Sequence, residues 1–512
     1  MSELRDQLFQ EILMARKRVY AAGRPTPLEH IALGLSADVW VKREDLSPIH
    51  AYKWRGAFNR MATLAAEERA RGVVCASAGN HAQGVALAAR RLDTHATIYM
   101  PASAPRMKQH AVRQIGGDNV TIVLHGDNYS AAAGAATAFA TAHHKTFIHA
   151  FDDLATMGGQ GTLADEIVMS GEGPFDIAYI QIGGGGMAAS VACWLKTYYP
   201  GIRIVGVEGV AQASMIAAVN AGEPVELPYV DVFCDGTAVK KAGRLTHALC
   251  AELVDEFITV TNEEVCAAIE QLWTSLRCVA EPAGAMGLAG LLKHQASGTA
   301  PGGKALCILA GANVDFEQLA WISQHAAIGA ARRRYFRFEM GEAPGGLLHL
   351  LDVLLEGVNI VEVQYGKLDE HHARPVIGFE ASPPQLALLE QRLTEHGVPH
   401  QDVTSQPDVE FRIIQYLPEL FHNPYFITLE FPERPGALRE FLVSMGHAGP
   451  GGGAVLPNLC YFNYTHTGEQ VGRALIGFEF SDVGARADFQ ERLAASAHVF
   501  HELSEDVIHR IL

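Results

Sequence analysis

At 512 residues the chain has room for roughly three domains of about 150 residues each. Its 48% hydrophobic and 19% charged content suits large buried cores and marks an ordinary globular protein. A net charge of −17, with Arg332-Arg333-Arg334 as its dense basic block, argues against nucleic acid and against anionic membrane surfaces as partners. The 8 cysteines show no C-x-x-C spacing and mostly sit in apolar runs, which reads as buried free thiols in a reducing compartment. The N-terminus lacks an apolar signal core and no apolar run approaches membrane-span length, so a cytoplasmic location is expected.

Residues 3 to 20 carry Leu4, Leu8, Ile12, Ala15 and Val19 at helical spacing, ahead of the turn Arg24-Pro25-Thr26-Pro27. A strand-like Val39-Trp40-Val41 runs into charges and a proline turn, and Lys53 then opens a helical run. A helix near 56 to 70 is expected to end at Gly72, followed by the buried strand Val73-Val74-Cys75-Ala76 and the small-residue stretch Ser77 to Gly84. A helix over 85–91 leads to the strand Ala96-Thr97-Ile98-Tyr99-Met100. Next come Val120-Thr121-Ile122-Val123-Leu124, an alanine-rich helix and Thr146-Phe147-Ile148. The alternation continues through strands at 178–182, 204–208 and 305–309. It implies parallel sheets covered by helices, with ligands at the carboxyl ends of the strands.

After about residue 330 the pattern changes and the chain repeats itself. Phe338-Glu339 and Pro344-Gly345-Gly346-Leu347 return 91 positions later as Leu429-Glu430 and Pro435-Gly436-Ala437-Leu438. Tyr365 and Ile377-Gly378-Phe379-Glu380 return 99 positions later as Tyr464 and Ile476-Gly477-Phe478-Glu479. The second copy is therefore longer, and Gly449-Pro450-Gly451-Gly452-Gly453 lies in the interval that must hold the insertion. Each copy reads strand, Pro-Gly turn, helix, strand, strand, so two α+β modules of like design are expected.

Three groups carry chemistry. The neighbours of Lys53 are Ile49, Ala51, Tyr52, Trp54, Gly56 and Ala57. An amine desolvated by such residues has its neutral, nucleophilic form favoured, whereas the bland reading is a solvated lysine on a helix. Gly183-Gly184-Gly185-Gly186 follows a buried strand and opens the helix Met187 to Lys196. Converging amides at a helix N-terminus suit a phosphate, and the alternative is a tight turn that lets the helix pack closely. Ser77-Ala78-Gly79-Asn80-His81 has the same placement. Its amides can approach a carboxylate and Asn80 can donate to a ring oxygen; otherwise Asn80 is a helix N-cap and His81 a satisfied, partly buried histidine. Together the three groups ask for one ligand with an aldehyde, a ring oxygen and a phosphate. Pyridoxal 5'-phosphate has all three, and it is the electron sink that makes an amino-acid α-proton acidic.

The motifs Thr26-Pro27-Leu28, Val41-Lys42-Arg43-Glu44-Asp45, Lys53-x-Arg55-Gly56-Ala57 and Ser77 to Gly84 stand in a recognisable order. They continue through Gly158-Gly159-Gln160-Gly161-Thr162, the tetraglycine, Ala280-Glu281-Pro282 and Gly311-Ala312-Asn313-Val314. Over practically its whole length the chain resembles the biosynthetic threonine ammonia-lyases (threonine dehydratases). The resemblance implies an α/β, tryptophan-synthase-β-like fold-type II pyridoxal-phosphate domain of two parallel-sheet lobes over 1–330. Two ACT-like regulatory modules are implied over 331–420 and 421–512. It makes Lys53 the Schiff-base lysine and general base, and Asn80 the contact to the cofactor's 3'-oxygen. Gly183, Gly184, Gly185, Gly186 and Met187 would hold the phosphate, and the amides of Ala78, Gly79, Asn80 and His81 the substrate carboxylate. The implied reaction takes L-threonine to 2-oxobutanoate and ammonia, the first step towards isoleucine, with L-serine a poorer substrate. A homotetramer and control by isoleucine or valine are also implied.

The chain departs from that pattern at three places. Ala310 stands where the family commonly has a serine facing the pyridine nitrogen. Tyr365-Gly366 and Tyr464-Thr465 stand where relatives often have Tyr-Arg, with Lys367 close by as a replacement cation. Ala51 replaces a serine often found two places before the lysine. The rival readings are a serine or hydroxyaspartate dehydratase or racemase of the same fold, and a non-catalytic amino-acid sensor, which Ala310 suggests. A metal site is not indicated: Glu208 is followed by Gln212 and Ser214 where further ligands would stand.

Overall fold

The computed structural model describes residues 2–298, 302–353, 357–432, 434–448, 454–455, 457–466, 471–496 and 498–512. The chain forms two compact units, Met1–Gly329 and Ala330–Leu512.

The first unit holds two sheets. Four parallel strands run Val120–Leu124, Ala96–Met100, Val73–Ala76, Thr146–Phe147 in spatial order. Six strands form the other sheet, in the order Leu28–Ile31, Ala37–Arg43, Gly303–Leu309, Ile177–Gln181, Arg203–Gly209, Glu256–Val260. Only the Leu28–Ile31 pairing is antiparallel. The buried apolar runs of the sequence are the inner strands: every residue of Val73–Ala76, Ala96–Met100 and Ile177–Gln181 is buried, as strands covered on both faces require. The helix Glu3–Ala22 buries Leu8, Ile12, Ala15 and Val19 at the predicted spacing.

Two features differ from the sequence reading. The helix expected over 56–70 is two helices, Lys53–Ala62 and Ala66–Arg71. The break buries Leu64 in the core, and the Glu68 carboxylate accepts from the Ala65 amide to start the second piece. No glycine or proline marks this break, so packing alone sets it. The outer strand Glu256–Val260 is half-buried along most of its length and lacks a distinctive apolar run.

The second unit is built on one eight-stranded antiparallel sheet, with two short two-stranded pairs beside it. Its order is His400–Asp402, Arg333–Phe338, Val376–Glu380, Asn359–Gly366, Asn458–Thr465, Val471–Glu479, Tyr425–Pro432, Val499–Glu502. Each half reads strand, helix, strand, strand, helix, strand, with helices Gly346–Val353 and Pro383–Glu395 in one and Ala437–Met445 and Val483–Ala495 in the other. The second helix and the closing strand of each half are additions to the sequence reading. Those strands are short and mostly exposed, and carry no alternating apolar pattern. The halves join through Asn359–Gly366 and Asn458–Thr465, where Gln364 faces Asn463. These two residues are 99 positions apart, the offset of the repeat, so the halves are related by a pseudo-twofold axis between them. The glycine-rich insertion Gly449 to Gly453 lies outside the described residues.

Candidate active site

Each chemistry-bearing segment of the first unit leaves the carboxyl end of a parallel strand. Ser77 follows Val73–Ala76, Ile148 follows Thr146–Phe147, Gly183 follows Ile177–Gln181 and Ala310 follows Gly303–Leu309. That is where open parallel sheets hold ligands.

Lys53 is the first residue of the helix Lys53–Ala62. Its apolar neighbours separate from it: Trp54 is fully buried in the core, while Lys53 is half-buried with Nζ 5.3 Å from the Tyr52 ring centroid. Nζ donates to the Ala150 carbonyl at 3.5 Å, and Gln160 Nε2 donates to the same oxygen at 3.0 Å. The segment Ile148 to Phe151 is a hub that the sequence reading overlooked. The His81 ring bonds the Ile148 carbonyl through Nε2 at 2.9 Å, and the Phe151 ring lies 2.3 Å from where a Cβ on Gly184 would stand. Lys53, His81 and the tetraglycine thus meet around four consecutive residues.

All four glycines of the tetraglycine are closed in by protein. A Cβ would stand 2.8 Å from Thr237 Cα at Gly183 and 2.6 Å from Gln160 Oε1 at Gly186; Gly185 has φ +92°. Close packing therefore accounts for the glycines by itself, and the case for an anion rests on the amides. Gly186 begins the helix Gly186–Tyr198, and the amides of Gly184, Gly185, Gly186 and Met187 find no acceptor among the described residues, although these residues are buried. Buried amides need a partner, and at a helix N-terminus an anion supplies it.

At the other strand end, Gly79 precedes the helix Asn80–Arg91, so Asn80 is its first residue and not its cap. A Cβ on Gly79 would meet nothing within 4 Å, so this glycine borders open space. Ser77 Oγ takes up the Gly79 amide at 3.1 Å, while the amides of Ala78, Asn80 and His81 have no acceptor among the described residues. Burial and the Lys53 charge push the His81 imidazole down to about 3, which leaves it neutral. Asn80 Nδ2 donates to Glu281 Oε1 at 2.7 Å, and Asn80 Oδ1 accepts from Asn313 Nδ2 at 2.7 Å. Ala310 is buried, and its carbonyl accepts from the Tyr52 amide at 3.1 Å, tying it to the Lys53 loop. Cys278 does not fill in for a serine at 310: its thiol donates to Asp45 Oδ2 at 3.2 Å.

In the second unit Tyr365 and Tyr464 are both buried and occupy equivalent clefts across the pseudo-twofold axis. The Tyr365 cleft is lined by Glu342, Gly345, Gly346 and, from the other half, Asn458 and Leu459. Its counterpart is lined by Arg434, Gly436 and Tyr464 with Asn359 and Ile360. The Tyr365 hydroxyl donates to Glu342 Oε2 at 2.5 Å. Lys367 is buried and paired with Glu479 at 2.7 Å, and Asn458 bridges Glu479 to Glu342.

Two families match the sequence. Residues 19–311 match the pyridoxal-phosphate dependent enzymes, and residues 324–413 and 421–511 match the C-terminal regulatory domain of threonine dehydratase. The L-threonine dehydratase biosynthetic IlvA of Haemophilus influenzae is 36% identical over 98% of this chain and 96% of its own length. That of Escherichia coli is 35% identical over 95% and 93%. The chain belongs to the biosynthetic threonine dehydratases. Among solved structures, the processed threonine deaminase isoform 2 of Solanum lycopersicum superposes with a TM-score of 0.60 at 37% identity, covering 63% of this chain and 89% of that one. Maize serine racemase superposes with a TM-score of 0.57 at 29% identity, over 62% and 97%. The fold is that of fold-type II pyridoxal-phosphate enzymes, followed by ACT-like modules.

The cofactor of this dehydratase family fits the site. Unpartnered buried amides at the tetraglycine match a phosphate, open space borders Gly79, and a half-buried amine stands at Lys53. Among the described residues no helix is long and apolar enough to cross a membrane, and no cluster of three metal-ligating side chains occurs.

Proposed function

We propose that the first unit deaminates L-threonine to 2-oxobutanoate and ammonia. The observation that carries this is the meeting of Lys53, the His81 ring and the tetraglycine around Ile148 to Phe151, beside two stretches of amides without acceptors among the described residues, in a chain similar over its length to biosynthetic threonine dehydratases. Gly183 to Gly186 and Met187 would hold the phosphate through backbone N–H groups, Asn80 would donate to the ring oxygen, and Lys53 would be the amine joined to the aldehyde in the resting enzyme. Bound pyridoxal phosphate supplies the electron sink that acidifies the substrate α-carbon. The amides of Ala78, Asn80 and His81, with that of Gly79 held by Ser77 Oγ, would fix the substrate carboxylate, which orients the α-proton towards Lys53. Freed from the aldehyde by the incoming substrate amine, Lys53 Nζ would take that proton as general base. The β-hydroxyl leaves as water, and hydrolysis of the resulting enamine releases ammonia. The same proposal divides the chain into a catalytic domain over 1–330 and regulatory modules over 331–420 and 421–512. Isoleucine or valine occupies the clefts at Tyr365 and Tyr464, with Lys367 held in reserve by Glu479. Four copies assemble, in the cytoplasm; the free cysteines, buried except for the half-buried Cys278, suit its reducing conditions. A keto-acid assay on threonine, serine and hydroxyaspartate, with and without isoleucine and valine, tests the reading. Threonine is turned over fastest and isoleucine slows it; inertness towards all three amino acids refutes the reading.

The phosphate assignment has its own check. Apo-protein binds pyridoxal phosphate at least about a hundredfold tighter than pyridoxal, since two charge-assisted bonds to amides amount to about 3 kcal/mol or more. Equal affinities measured by fluorescence titration assign the tetraglycine to packing alone. At Ala310, replacement by serine changes the turnover rate by about tenfold or less in either direction, because one neutral hydrogen bond is worth about 1 kcal/mol. An inert natural chain, revived by Ala310→Ser, would hand the chain to the sensor reading.

A further inference from the structure

Glu281 is a buried carboxylate with no part in the reaction as drawn above. It lies at the start of the helix Pro282–Ala296, 201 positions from Asn80, yet it bonds that side chain directly. Glu281, Asn80 and Asn313 close a ring, with the Asn313 backbone N–H as one of its links. Glu281 Oε1 accepts from Asn80 Nδ2 at 2.7 Å, Glu281 Oε2 accepts from the Asn313 amide at 3.1 Å, and Asn313 Nδ2 donates to Asn80 Oδ1 at 2.7 Å. Asn313 Nδ2 gives its other hydrogen to the Ile49 carbonyl at 2.8 Å.

This ring fixes which way the Asn80 amide faces. An ionised carboxylate only accepts, so the Asn80 atom beside Oε1 must be the nitrogen. A carbonyl also only accepts, so the Asn313 atom beside Ile49 must be nitrogen, and the Asn80 atom it meets must be the oxygen. Both constraints give the same orientation. They use the Asn80 oxygen and one of its two N–H groups, and leave one N–H free for a ligand.

We infer that Glu281, with Asn313, is the positioning residue that holds Asn80 as a hydrogen-bond donor to the cofactor's ring oxygen, and that protonation of Glu281 releases this hold. The inference rests on the assignment of Asn80 to that oxygen. Oε2 faces a backbone N–H, so an added proton sits on Oε1 and sets a donor against the Asn80 nitrogen; one of the two must turn. Burial raises the Glu281 carboxyl to about 7, with the Asp235 charge adding to the rise and Asn80, Asn313 and Lys108 opposing it. Lys108 is paired with Asp235 and offsets part of its charge at Glu281. The neighbouring Cys234 thiol is itself pushed well up by burial and stays protonated. The switch therefore falls at neutral pH.

The test compares holoenzyme of the natural chain, Glu281→Gln, Glu281→Asp and Asn313→Ala across neutral pH. It reads kcat and KM separately, the absorption of the bound cofactor, and the affinity of apo-protein for pyridoxal phosphate. A glutamine always presents one donor to this ring, so it copies the protonated acid. In the natural chain kcat/KM and the cofactor absorption change together, with a midpoint of about 7. In Glu281→Gln that transition is absent, and above neutrality kcat/KM is lowered about tenfold to the acid-side level of the natural chain. Glu281→Asp keeps a transition. Asn313→Ala loses rate but retains the midpoint, which carries the test if Glu281→Gln loses its cofactor. A natural chain that turns over threonine, with the same transition in Glu281→Gln, would overturn the inference and leave the proposed function standing.

Discussion

Lys53→Ala abolishes keto-acid formation from threonine and leaves the fold in place. In the proposed mechanism the lysine takes two roles in turn on one atom, the covalent hold on the aldehyde and, once freed, the base for the α-proton, so no second group makes good its loss. General-base catalysis alone contributes about 100- to 10,000-fold, and loss of the covalent hold adds to it. Structurally the side chain carries little. It is half-buried at a helix start, and Nζ makes one long hydrogen bond among the described residues, 3.5 Å to the Ala150 carbonyl. That carbonyl keeps its bond from Gln160 in the variant. Melting temperature therefore stays within a few degrees of the natural protein, as for substitutions that break no buried network. Activity above a trace in purified Lys53→Ala would remove Lys53 from the mechanism.

Much of this site was legible because parallel strands advertise themselves. Val73–Ala76, Ala96–Met100 and Val120–Leu124 were expected at these bounds, and each is followed by a turn signal in the sequence. Once they are placed, the ends carrying Ser77, Gly183 and Ala310 become the ligand face. The tetraglycine was harder. Four glycines in a row fit both a phosphate cradle and a close-packed turn, and Phe151, Thr237, Gln160 and Met215 close all four positions. The informative feature is the set of amides without acceptors, which only coordinates expose. The expected identity of the site and the reason for its glycines thus come from different features.

What the sequence concealed is long-range and polar. Glu281 reads as a helix-start acid before Pro282, and Asn313 as part of a small-residue turn; their meeting at Asn80 follows from how the strands are ordered. Ile148 to Phe151 acts largely through backbone carbonyls, and these leave no residue-type signature. In the second unit the repeat was visible because apolar strand residues and Pro-Gly turns recur. The exposed closing strands His400–Asp402 and Val499–Glu502 were not, since edge strands tolerate polar residues on both faces.

Arg55→Met lowers stability more than any loss at the reacting atoms. Two residues after Lys53, Arg55 is fully buried and bonds Glu44 at 2.8 Å and Glu166 at 2.5 Å. Lys42 pairs with Glu166 at 2.6 Å and donates to the Thr26 carbonyl, while Thr26 Oγ1 donates to Glu44. Two cations and two carboxylates balance in a region without solvent access, and together they clamp the Lys53 helix to the strand Ala37–Arg43 and the helix Leu154–Met169. Removing Arg55 leaves two carboxylates with only Lys42, whose own charge is disfavoured by burial. Breaking such a network from one side costs about 3–5 kcal/mol, or roughly 10 °C in melting temperature. The pH dependence follows from Glu44. Burial works to raise its carboxyl, but Arg55 and Lys42 hold it below the ordinary value, so in the natural chain it contributes stability above the unfolded carboxylate range and loses it as pH falls through that range. Without Arg55 burial dominates, the carboxyl rises, and the folded variant takes up a proton that the unfolded chain lacks at neutral pH. The variant then loses stability as pH rises, and its deficit widens from mildly acid to mildly alkaline solution. Thermal melts of both proteins across that range measure it. Arg55→Met with Glu166→Met restores charge balance, so the double variant melts above the single one. A single variant with an unchanged melting point, or a deficit that narrows as pH rises, would show that hydrophobic packing holds the Lys53 helix instead of this network.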